Sequence, residues 1–155
     1  MQQTGKITID PYVFNQINPN SYSYRLGLKL GIPETEAEFP KFNFIDIPKE
    51  GYELMPHTMY LGHTYEVLGS SDFAMRLVGR GSVGRYGLFI QVSADLGHTG
   101  ASHKWTLEIV ATKPIILYPY MIIGQISFWE NFGKINHYKG GYSAYNDPTT
   151  STFTM

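Results

Sequence analysis

Short runs of alternating apolar and polar residues recur along the chain, at the period of two that marks half-buried strands rather than the 3.6 of helices. They are SYRLGLKL (23–30), YELMP (52–56), TMYLGHTYEVL (58–68), AMRLVG (74–79), LFIQVSA (88–94), KWTLEIVA (104–111), IILYPYM (115–121) and IGQISFWE (123–130). Turn residues separate most of them at close spacing, so the fold class predicted is all-β, a sandwich or barrel with only short helical turns. One such turn is expected at SSDF (70–73), capped by Ser70 or Ser71. Past Trp129 the alternation gives way to a stretch rich in Gly, Asn, Tyr, Ser and Thr. Such a segment buries little surface by itself, which predicts a β domain over 1–130 and a flexible tail over 131–155.

Composition limits the partners. With 155 residues, 43% hydrophobic and 16% charged, the chain fits one globular domain. The formal net charge is −1 and there is no dense Lys/Arg run, so no basic field exists for nucleic acid and any anionic ligand is expected to be small. The lack of cysteine removes disulfides, thiolate nucleophiles and Cys-based zinc sites. The first residues show no signal-peptide pattern, and no stretch approaches the roughly 18 apolar residues of a membrane helix. The expectation is a cytoplasmic protein without membrane contact.

Three features carry candidate chemistry. In WTLEIVA, Trp105, Leu107 and Ile109 share one face, and Thr106, Glu108 and Val110 share the other. Glu108 either faces water or sits in a pocket that tunes it for proton transfer, and the alternation alone favours water. GRGSVGRYG (79–87) sets four glycines and two arginines in nine positions. Glycines let backbone N–H groups converge on an anion and arginine supplies a fork for phosphate. Without a P-loop ending or a following helix, the stretch reads equally as a plain loop. The tail's Tyr138, Tyr142 and Tyr145 either stack on a base or a neighbouring subunit, or pin the tail to the body. None of His57, His63, His98, His103 and His137 forms a pair at ligand spacing, so no metal site is expected.

Taken in order, INPNSYSYRLG (17–27), GHTYE (62–66), GRGSVGRYGLFIQVSA (79–94), WTLEIVATKPIILYPYMIIGQISF (105–128) and YKGGYSAYNDPTTST (138–152) resemble the motifs of the dCTP deaminases, a branch of the dUTPase-like superfamily. The most specific match is GRGSVGRYGL to GRSSLxRxGL, with the interval from Arg85 to Glu108 kept. The resemblance implies a homotrimer of dUTPase-like distorted β-barrels or jelly-rolls. It implies hydrolytic deamination of dCTP to dUTP and ammonia without zinc. Glu108 would be the general acid/base, and Arg85 would join the catalytic set across a subunit boundary. Arg80 and Ser82 fall at triphosphate-binding positions and Gly81 at a further substrate-binding one, and backbone groups near Ser93 and Ala94 would hold the base. Tyr138, Tyr142, Tyr145 and Ser151 would bind substrate from a tail that closes over a neighbouring active site. Mg2+ would arrive on the triphosphate.

Some positions depart from the pattern. Gly81 stands in place of a serine that helps hold the reacting water or substrate. His98, in HTGASH, stands in place of an aspartate tied to dUTP hydrolysis. Ser23, Tyr145 and Thr152 replace an aspartate, a glutamine and an arginine. These changes keep two alternatives open. One is a bifunctional dCTP deaminase/dUTPase or a dUTP diphosphatase, which His98 argues against. The other is a non-catalytic, nucleotide-binding regulatory trimer.

Overall fold

The alternating runs become strands, and the strands pair antiparallel throughout. A computed structural model describes residues 5–34 and 41–151, without the side chains of 143 and 144. Its strands are β1 (Ile7–Asp10), β2 (Ile17–Asn18), β3 (Ser21–Arg25), β4 (Lys29–Pro33), β5 (Phe42–Asp46), β6 (Tyr52–Leu54), β7 (Met59–His63), β8 (Val67–Ser70), β9 (Phe73–Gly79), β10 (Leu88–Ile90), β11 (Leu96–Gly97), β12 (Ser102–His103), β13 (Thr106–Ala111), β14 (Ile115–Leu117) and β15 (Ile122–Glu130), with one helix, α1 (Gly81–Tyr86). Two five-stranded sheets, in the orders β10-β13-β7-β4-β5 and β11-β9-β15-β3-β2, supply most of the core. Smaller sheets, β1-β8-β12 and β14-β6, and an isolated antiparallel bridge between Leu26 and Thr64 complete the pairing among the described residues.

Burial follows the period of two. Leu107 and Ile109 of β13 are fully buried, and Thr106, Glu108 and Val110 between them are only partly so. Each buried aliphatic chain of this kind contributes about 1.5–3 kcal/mol. Opposite them, Tyr22, Tyr24, Met75, Leu77 and Ile126 fill the core from the second sheet. Beyond β15 no strand follows among the described residues, only a short 3-10 turn at Gly141–Ala144.

The structure corrects several local expectations. The run 58–68 divides into β7 and β8 because Glu66, fully buried, turns inward to Arg25. It accepts hydrogen bonds from the Arg25 backbone N–H at 2.9 Å and from Arg25 Nε at 2.7 Å. The run 23–30 likewise breaks into β3 and β4. SSDF is no helical turn: Ser70 ends β8, and its Oγ accepts the N–H groups of Asp72 at 3.1 Å and Phe73 at 2.9 Å, closing the link to β9. GRGSVGRYG is not an open loop, since most of it winds into α1. Gly87 ends that helix with φ 101°, a left-handed conformation that glycine adopts without penalty, and donates its N–H to Gly84 O and Val83 O. Strands β1, β2, β5, β11 and β12 were outside the alternating runs. Several are too short to display a period and are fixed by their partners instead.

Candidate active site

Strand β10 stops at Ile90 because the next residue, Gln91, takes φ 54°, which no continuing strand allows. In place of the lost ladder, Gln91 grips Glu108 of β13. Its N–H donates to Glu108 O at 2.9 Å, and its side-chain Oε1 accepts the Glu108 N–H at 2.9 Å. Its Nε2 then donates to Ala94 O at 3.0 Å, which ties the 91–94 segment to the same strand. The Ser93 N–H donates to Glu108 Oε2 at 3.1 Å. A carboxylate on an interior strand of a sheet is thereby fixed at its backbone and at one of its oxygens.

Glu108 lines a cavity of about 490 Å³, within the roughly 300–1,000 Å³ usual for small-molecule sites. The strand alternation favoured open water for this residue; the tail changes that by walling the same face. The described tail lies against its own chain. The Tyr138 N–H donates to Thr99 O at 2.9 Å, and the Thr149 N–H to Thr106 Oγ1 at 3.1 Å. The Lys104 N–H donates to Asn146 Oδ1 at 3.1 Å, and Lys29 pairs with Asp147 at 3.3 Å.

Aromatic rings dominate the walls. Tyr138 stacks on His98 at 4.9 Å and 25°, Trp105 leans on His103 at 4.2 Å, and Tyr142 meets Tyr145 edge-on at 5.9 Å. Trp105 is anchored by its indole N–H to Leu68 O at 2.9 Å. Burial holds the His103 imidazole below its ordinary pKa, and its Nδ1 lies 2.8 Å from Lys104 O, an arrangement suited to a neutral ring donating from Nδ1.

Six of the residues expected at the site share this wall: Glu108, Ala94, Tyr138, Tyr142, Tyr145 and Ser151. Ser93 reaches the site through its backbone. Arg80, Gly81, Ser82 and Arg85 are elsewhere on the chain, on α1 or capping it, and none lines the cavity. Gly81, Ser82 and Arg85 are exposed, and neither arginine has a salt bridge among the described residues. A Cβ at Gly81 would meet nothing within 4 Å, so crowding does not demand the glycine. Thr152 lies outside the described residues. Gln91 was missed as a site residue; its only signal was an amide interrupting an otherwise apolar LFI run. No group of three or more His, Asp or Glu side chains converges as a metal site among the described residues.

The profile of the family described as dCTP deaminase-like matches residues 1–131. The chain belongs to the dCTP deaminase-like family. Two relatives are each named dCTP deaminase, dUMP-forming. One, from Hathewaya histolytica, is 41% identical over 139 residues, covering 87% of this chain and 81% of the relative. The other, from Cytophaga hutchinsonii, is 40% identical over 144 residues, covering 90% and 83%. A relative from Rhodopirellula baltica named dCTP deaminase is 38% identical over 131 residues, covering 82% of this chain and 66% of that one. Among solved structures, the 2'-deoxycytidine 5'-triphosphate deaminase of Agrobacterium tumefaciens superposes with a TM-score of 0.66 at 21% identity. It covers 83% of this chain, which spans 45% of that longer chain. The fold of this family member is thus the mainly-β, dUTPase-like one.

Proposed function

We propose that this dCTP deaminase-like protein converts dCTP to dUMP in two hydrolyses. In the first, Glu108 takes a proton from water, the water oxygen bonds to C4 of cytosine, and the C4–N bond breaks as Glu108 returns the proton to the departing ammonia. In the second, water adds at the α-phosphorus of dUTP and pyrophosphate leaves. The dUMP-forming names of the relatives support dUMP, rather than dUTP, as the final product. The observation that carries the reading is the Glu108 carboxylate, clamped by Gln91 and the Ser93 N–H on the wall of an aromatic cavity.

Lys104 is the one Lys or Arg among the described residues that line the cavity, too little charge for a triphosphate, and α1 with Arg80, Ser82 and Arg85 sits elsewhere on the same chain. This separation supports a homotrimer in which α1 of one protomer completes the cavity of the next. Magnesium would then ride on the triphosphate oxygens, which need no acidic protein cage. Purified protein with dCTP and magnesium should release ammonia and accumulate dUMP with pyrophosphate. Glu108→Gln should lower ammonia release by about 10²–10⁴-fold or more, with an unchanged melting temperature. Accumulation of dUTP alone would reduce the reading to a simple deaminase, consistent with His98 in the aspartate position. Nucleotide binding by calorimetry without turnover would replace it with the regulatory one.

A further inference from the structure

Glu108 has unlike neighbours on its two sides. Strand β13 runs between β10 and β7, so one row across the sheet reads Gln91, Glu108, Leu61 and Gly31. Towards β10 the row is polar, with the Gln91 amide, the Ser93 N–H and Ala94 O. Towards β7 it is apolar. Leu61 is the direct cross-strand partner of Glu108, Met59 follows on the same face, and Phe42 of β5 joins them on the cavity wall. Behind them Phe44 lies so close over Gly31 that a Cβ there would fall 2.7 Å from its ring and 3.3 Å from Leu61 Cβ.

A cytosine ring with C4 at the Glu108 carboxylate has two edges to dispose of. N3 and O2 are polar, and C5 and C6 are not. Turning N3 and O2, both acceptors, to the 91–94 segment sets them beside the Gln91 amide, whose Nε2 has a second N–H besides the one given to Ala94 O, and lays C5 over Leu61; the flipped ring would bury N3 and O2 against Leu61 and Met59 without partners. Neighbouring strands stand about 4.8 Å apart, so a small group on C5 projects from the Glu108 strand onto the Leu61 strand.

We propose that Leu61, with Met59 and Phe42, forms an apolar subsite for the 5-position of the pyrimidine, and that 5-alkyl cytosine deoxynucleotides are substrates alongside dCTP. This rests on the reading of Glu108 as the group that works at C4. With 5-methyl-dCTP, water replaces the 4-amino group, giving thymidine triphosphate and ammonia. A hydroxyl on the same carbon would be buried against Leu61 without a partner, so 5-hydroxymethyl-dCTP is a poorer substrate than 5-methyl-dCTP.

The test is ammonia release by the full chain with dCTP, 5-methyl-dCTP and 5-hydroxymethyl-dCTP in parallel. The expected result is kcat/KM for 5-methyl-dCTP within about tenfold of dCTP, and at least about tenfold above that for 5-hydroxymethyl-dCTP. In Leu61→Phe the ratio of 5-methyl-dCTP to dCTP should fall at least about tenfold. That ratio compares two substrates on one preparation, so a loss of folded protein does not alter it. Turnover of dCTP with none of 5-methyl-dCTP overturns the subsite while leaving the role of Glu108 intact. A ratio unmoved in Leu61→Phe overturns it as well, and turnover of neither nucleotide overturns both readings.

Discussion

At the scale of single residues, the distinctive feature is how much of the site passes through Gln91. Its backbone ends β10, and its amide joins the Glu108 N–H to Ala94 O. Glu108 and the 91–94 segment are therefore one mechanical unit. Gln91→Leu removes both amide bonds but keeps the volume, so it should let Glu108 and the 91–94 segment shift independently. A misplacement of about 1 Å at a reacting group lowers rate by about 10²-fold; kcat for deamination should fall by roughly that factor with a smaller change in KM, as steady-state kinetics would show. An equal loss in 1/KM with kcat preserved would make Gln91 a binding residue instead. Glu108 stood out in the sequence as a single carboxylate in an apolar strand, but neither its place on a cavity wall nor its clamp was legible there. A glutamine looks the same in sequence whether its φ is negative or positive, and only the packed sheet fixes which.

Among the elements, α1 shows where local signals mislead. Four glycines argue for a loop, yet the chain winds into helix because Val83 packs against the core and Gly87 can take φ 101° to end the turn. A Cβ at Gly87 would also collide with Thr112 Oγ1. Gly87→Ala should therefore destabilise the protein by about 1–3 kcal/mol, read as a lower urea midpoint. It should also disturb α1 and raise KM for the triphosphate. The strands were easier. Those that bury one face, such as β9, β13 and β15, were plain in the alternation because burial and the period of two coincide. Where a run crosses from one sheet to another, as at Thr64–Glu66, the alternation continues through the break. What divides the strands there is the Glu66–Arg25 pair, whose members are 41 residues apart.

At the scale of the whole molecule, two predictions belong together because both depend on how distant parts meet. Burial lowers the pKa of both His63 and His103. His63 is held neutral in place, with Nδ1 at 2.9 Å from Thr64 O and Nε2 accepting the Lys29 N–H at 3.3 Å. The unfolded chain takes up these protons near its ordinary pKa of about 6.5 and the folded chain resists them. Stability should thus be full above that pH and decline as pH falls below it towards the depressed folded values. Urea midpoints between neutral and mildly acidic pH check this, and His63→Gln should flatten the slope. The second prediction concerns assembly. If α1 of one protomer serves the cavity of the next, inactive Glu108→Gln and inactive Arg85→Ala proteins should regain activity when their subunits are exchanged. Equal mixing should restore roughly a quarter of the sites, since each needs an intact Glu108 from one protomer and an intact Arg85 from its neighbour. No recovery after verified exchange would place both groups in one subunit. The sequence by itself determined the β class, the buried faces and the order of the family motifs, because periodicity and residue type act locally along the chain. Only the tertiary structure decided that Gln91 clamps Glu108, that the tail walls the cavity, and that the arginines of α1 lie away from it. Those arrangements depend on strand order and on contacts between residues far apart in sequence, where no local pattern carries the register.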